Sequence, residues 1–125
     1  MPAIGRIVLE TAAAFIALGG CYDLFTPRLP QNLVLQCGSD PRALKLVREL
    51  LRALGASLMA IGVTVALLAA APGDVKHRLL LVLLLVLPAE GVNSFSMRRV
   101  GSPFYIPLAF ALLTLLGAAL IWLNL

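Results

Sequence analysis

Apolar residues fall in four long runs along this chain, about Ala3 to Phe25, Leu51 to Ala71, Leu79 to Met97 and Phe104 to Leu123. Each approaches the roughly 20 apolar residues needed to cross a hydrocarbon core of about 30 Å. None shows the alternation of a barrel wall, and all are rich in Leu and Ala, which favour helix. The pattern predicts an all-α four-helix transmembrane bundle. Its helices are expected over approximately 3–25, 41–71, 76–97 and 103–124 of a single integral membrane domain, 1–125. No internal repeat or long linker marks a second domain.

Composition agrees. Of 125 residues, 61% are hydrophobic and only 13% charged, more apolar side chain than one small core could hide from water. The basic residues are unevenly shared between the two ends of the spans. Arg28, Arg42, Lys45, Arg48 and Arg52 follow the first span, and Arg98 and Arg99 follow the third; Arg6, Lys76 and Arg78 lie on the other side. By the positive-inside rule the first and third loops face the cytoplasm and both termini face outward. Tyr22, Phe25, Phe104 and Tyr105 then lie near the inner boundary and Trp122 near the outer one. The net charge of +4 follows from this topology.

The first run ends at Leu18, Gly19, Gly20 and Cys21, the pattern of a lipoprotein cleavage site, but Glu10 interrupts its apolar centre and a single Arg6 precedes it. An uncleaved membrane helix is the expectation. Glu10 stands one turn after Arg6, and Ala13, Ala14, Ala17 and Cys21 follow at spacings of three and four, so it shares a face with small residues of the kind that mark helix packing. That predicts a glutamate turned into the bundle; a pair with Arg6 near the outer surface is the alternative.

In the first loop Asp40 and Pro41 form a strong helix start, a capping side chain followed by proline at the first helical position. From there the helix is expected to run unbroken into the second span. Arg42, Lys45, Arg48 and Arg52 make a basic cluster on its first turns, with Glu49 among them and Leu44, Val47 and Leu51 on another face. The cluster suits an anionic membrane surface, or simply orients the chain.

The third span contains LVLPAEGVNSFSMRR. Pro88 frees the carbonyl of Leu84, Gly91 weakens the helix nearby, and Glu90, Asn93 and Ser94 share a face. At 1.5 Å per residue Glu90 lies roughly 10 Å from the boundary set by Met97, and Glu10 about 9 Å from the outer one. Intramembrane carboxylates are costly and are candidate sites for a ligand or proton. The candidate binding residues are therefore Glu90, Asn93, Ser94 and Glu10, with a pocket between spans expected beside Pro88 and Gly91. The alternative for Glu90 is a hydrogen-bond hub paired with Arg98 or Arg52.

Little else carries chemistry. His77 stands in a short outer loop with no second ligand spaced for a metal, and Cys21 and Cys37 belong to no CxxC. No phosphate loop, nucleophile elbow or nucleic-acid-binding patch is present. No catalytic residue, metal or cofactor is expected, and no nucleic-acid partner; the expected partners are membrane lipid and a second copy of the chain or a larger membrane complex.

LFTPRLP after the first span, and RELLRALGASLMAIGVTVALLAA opening the second, resemble the DoxX-like small four-helix bacterial membrane proteins. The shared features are a proline-containing segment after helix one and an Arg-x-x-Gly start to helix two, here Arg52 with Gly55, then Gly62, with Ala56 where a second glycine would follow. The resemblance implies a multi-pass protein of the bacterial inner membrane, some of its relatives being linked to respiratory or redox assemblies. Three functional classes follow from the whole reading. The first is a non-enzymatic bundle that binds a lipid or hydrophobic small molecule, or serves a membrane complex as accessory subunit. The second is a proton-coupled small-solute transporter using Glu10 or Glu90. The third is a membrane enzyme like the four-helix glutathione- and eicosanoid-metabolising proteins, whose arginine-rich helix VRELLRALG loosely resembles.

Overall fold

The computed structural model describes residues 2–25, 38, 40–99, 101 and 103–125. They form four helices: α1 (Ala3–Phe25), α2 (Pro41–Ala70), α3 (Val75–Arg99) and α4 (Tyr105–Trp122). All four are long and apolar enough to cross a membrane, and the chain is an all-α four-helix bundle, as the apolar runs predict. Arg28 and Cys37 lie outside the described residues.

The helices bury narrow stripes at helical spacing. These are Leu9, Ala12, Ala13, Ile16 and Gly20 on α1; Gly55, Leu58, Gly62, Val65 and Ala69 on α2; Leu79, Val82, Val86, Glu90 and Ser94 on α3; and Pro107, Ala111, Thr114, Gly117, Ala118 and Ile121 on α4. The remaining faces expose large apolar side chains such as Ile7, Leu18, Leu67, Leu84, Phe95 and Leu116. In water such a surface would aggregate; in a bilayer it meets lipid tails.

The closest packing lies between α1 and α2, which run antiparallel. A Cβ on Gly20 would stand 2.5 Å from the Gly55 carbonyl oxygen, and one on Gly62 2.6 Å from the Ala17 nitrogen. Backbone meets backbone there, which only small residues permit. Helix α1 also packs on α4, and α3 on α4, while α2 and α3 touch over the shortest stretch.

Asp40 caps α2, its carboxylate accepting from the Arg42 N–H at 3.0 Å, with Pro41 at the first position. A helix of 30 residues is about 45 Å long, longer than the hydrocarbon core. No residue before Gly55 is buried, so the turns carrying Arg42, Lys45 and Arg48 project beyond the packed bundle.

At the opposite end Arg78 folds back over the end of α2. Its guanidinium donates to the carbonyls of Leu68 and Gly73, each at 3.1 Å, and to that of Ala71. Asp74 starts α3 by accepting from the Lys76 N–H at 3.0 Å and pairs with His77 at 2.6 Å. The Gly5 N–H donates to the Leu125 carbonyl at 2.9 Å, which ties the first turn of α1 to the last residue of the chain at this same end.

Helix α3 continues through Pro88 and Gly91 without a break. Both residues are exposed, and a Cβ on Gly91 would meet nothing within 4 Å. The proline ring therefore displaces no packed neighbour, and the turns on either side hold the helix.

Candidate functional site

Glu90 is 1% exposed, the only charged side chain in the core among the described residues. The spacing of four from Val86 to Glu90 to Ser94 puts it on the buried stripe of α3. Both carboxyl oxygens are buried, and neither has a hydrogen-bond partner. Asn93, one turn on, bears on the carboxyl without reaching hydrogen-bond geometry with either oxygen.

The carboxyl borders a cavity of about 270 Å³ to which all four helices contribute. Helix α1 supplies Ile16, Gly19, Tyr22 and Asp23, α2 supplies Leu58, α3 supplies Glu90, Asn93 and Met97, and α4 supplies Ile106, Pro107 and Phe110. Most of this lining is apolar, with a few convergent polar groups, the make-up of small-molecule sites. Phe110 is held by stacking on Phe15, centroids 6.0 Å apart. Asp23 and Tyr22, from the last turn of α1, and Met97, near the end of α3, place the cavity toward the end that carries the first and third loops.

The other candidate residues are dispersed. Ser94 donates to the Phe104 carbonyl at 2.8 Å, tying α3 to the segment that leads into α4. Glu10 pairs with Arg6 at 2.9 Å with both side chains nearly half exposed. It lies at the edge of the bundle, and Ala14, expected on the packed face beside it, is exposed. The reason is angular: Ala13 and Ile16 face the core, and the positions of Glu10 and Ala14 lie to one side of their stripe.

The cations proposed as partners for Glu90 are engaged elsewhere. Arg52 pairs with Glu49 at 2.8 Å, and Arg98 lies over the Phe104 ring, 5.6 Å from its centroid. Arg42, Lys45, Arg48 and Arg52 are all exposed, consistent with a basic surface around the start of α2. Cys21 donates its thiol to the Met59 sulfur at 3.3 Å. Among the described residues no group of His, Cys, Asp and Glu is placed to hold a metal.

Sequence reasoning missed two features. Asp23, as the last charge before the end of the first apolar run, could have been set beside Glu90 as a second carboxylate at the same end of the bundle. A wider groove of about 410 Å³ between α3 and α4 is lined by Leu79, Leu80, Leu83, Leu115, Ala118 and Trp122, with Lys76 at its margin, 5.1 Å from the Trp122 ring centroid. The groove is larger than the Glu90 cavity but opens on the lipid-facing side, and no buried polar group points into it. The Glu90 cavity is the candidate site.

Comparison of the chain with protein-family models, with curated proteins and with solved structures gives no match.

Proposed function

We propose that this multi-pass membrane protein binds a small hydrophobic molecule in the cavity around Glu90 and carries out no chemistry on it. One observation supports the reading above all: a buried carboxyl with both oxygens unsatisfied borders a cavity built by all four helices. Buried polar groups in native proteins are nearly always hydrogen-bonded. An orphaned carboxyl at a cavity therefore suits a partner that arrives from outside. At about 270 Å³ the cavity falls just below the usual range of ligand pockets, about 300–1,000 Å³. That favours a compact molecule over a two-chain lipid.

The orientation proposed puts both termini outside a bacterial inner membrane and the cavity toward the cytoplasmic end. Six exposed basic residues, Arg42, Lys45, Arg48, Arg52, Arg98 and Arg99, support it. At the other end Arg6 is paired with Glu10 and Arg78 is folded onto the end of α2.

The test is purification in a mild detergent and identification of bound small molecules by native mass spectrometry, beside a Gly19→Leu variant. A Cβ at Gly19 would already stand 3.7 Å from the Phe110 ring, so a leucine there fills the cavity from α1. The occupant is expected in wild type and absent from the variant. An occupant retained equally by both proteins would mean that it binds elsewhere. The same carboxyl also favours a second reading, proton-coupled transport. Proton flux into proteoliposomes that is lost in Glu90→Gln would establish it in place of simple binding.

A further inference from the structure

We infer that the ligand of this cavity is an organic cation, a compact hydrophobic body carrying one ammonium group that lodges against Glu90. The inference rests on the reading of the cavity as a binding site and adds the charge of what enters it.

The cavity is lined by two carboxylates, Glu90 buried within and Asp23 half-buried toward the end of α1, and by no lysine, arginine or histidine among the described residues. That imbalance is local, since the chain as a whole carries ten basic residues against six acidic ones. Three basic side chains at the same end of the bundle are engaged elsewhere, Arg52 with Glu49, Arg98 with the Phe104 ring and Arg99 with the Phe95 ring. An anionic ligand would meet repulsion from both carboxyls, and a neutral one would supply no counter-charge to make an ionised Glu90 tolerable where isolated charges are very costly.

A cation supplies the missing partner. The rings of Tyr22 and Phe110 also border the cavity, and aromatic faces attract ammonium groups, most strongly where water is excluded. Ile16, Leu58 and Ile106 leave the rest of the space apolar, suited to the hydrocarbon portion of such a molecule. Asp23 would hold the cation on its way in.

A matched pair of probes isolates the charge. Benzyltrimethylammonium and neopentylbenzene have nearly the same shape and differ in a quaternary nitrogen against a quaternary carbon. Binding of each to the full-length protein is measured by equilibrium dialysis in dodecyl maltoside and corrected for partition into empty micelles. Wild type is expected to prefer the cation by about 10-fold or more, equivalent to about 1.4 kcal/mol. Glu90→Gln should bring the two affinities together, and Asp23→Asn should lower affinity for the cation by a smaller factor. If wild type binds the neutral compound as tightly as the cation, or Glu90→Gln keeps the preference, the cation assignment is wrong while the binding cavity stands. If neither compound binds wild type, the cavity reading itself falls. The wild-type comparison needs no variant to fold.

Discussion

Arg78 and Glu90, both on α3, meet opposite circumstances. Arg78 donates to the carbonyls of Leu68 and Ala71 at the end of α2, of the kind that a helix terminus leaves without partners, and to that of Gly73 in the loop beyond. Replacing it with alanine should cost about 1.5–3 kcal/mol, the worth of hydrogen bonds to a charged group, seen as a lower unfolding temperature in detergent. Lysine should restore only part, because it lacks the planar fork. Glu90 is buried with neither carboxyl oxygen in hydrogen-bond geometry, so Glu90→Leu should stabilise the fold by about 1–3 kcal/mol, the penalty of an unsatisfied buried group, while abolishing cation binding. A melting temperature that falls would show that the carboxyl has a structural partner after all. Glu90 was legible as a candidate because a glutamate in an apolar run is conspicuous. Arg78 was not, since an arginine after a short loop reads equally as a solvated charge. Only the tight Pro72–Gly73 reversal hints that it must lie back over α2.

Among whole elements, the contact of α1 with α2 depends on size more than on hydrophobicity. Gly20→Leu would drive a side chain into the Gly55 carbonyl and the Met59 nitrogen, and should cost about 3 kcal/mol or more, beyond ordinary overpacking because the obstacle is backbone. Gly91→Ala faces open space and should gain about 0.5–1 kcal/mol by restricting the backbone. Both are read by thermal unfolding. At the start of α3, Asp74 is held below its usual 3.8 by the Lys76 backbone N–H and then by the His77 side chain. Its folded value is depressed, so its contribution is fully present above pH 3.8 and is lost as pH falls through the lower folded value. Acid unfolding curves of wild type should show this limb, and Asp74→Asn, which keeps an acceptor without titrating, should not. The four elements were legible because length and apolarity suffice to define a span. Their buried faces were less so. Lipid and core are both apolar, so hydropathy does not say which side turns inward, and only small residues mark the contact. That signal located the α1 face at Ala13, set Ala14 on it although Ala14 is exposed, and did not pick out Gly20, which is buried; for Glu10 the structure shows the alternative, the pair with Arg6.

For the molecule as a whole, the Gly5–Leu125 hydrogen bond requires both termini to lie on one side of the membrane. With four spans, reporter fusions at Leu125 and at Gly38 should give opposite signals, and the proposed orientation, which rests on the basic residues of the first and third loops, expects outward at Leu125 and cytoplasmic at Gly38. The reverse pattern would invert the orientation, and equal signals would contradict the four-span arrangement. The same end holds Trp122, the only tryptophan of the chain, beneath the Lys76 ammonium. From Lys76 to Glu90 is about 21 Å along α3 at 1.5 Å per residue. Excitation at the red edge, where tyrosine does not absorb, thus addresses a single indole far from the ligand cavity and exposed toward the acyl chains. Quenching by bromine placed at successive carbons of the lipid tails would turn that indole into a depth gauge, fixing how far the bundle sinks into the bilayer without any label and without touching the cavity around Glu90.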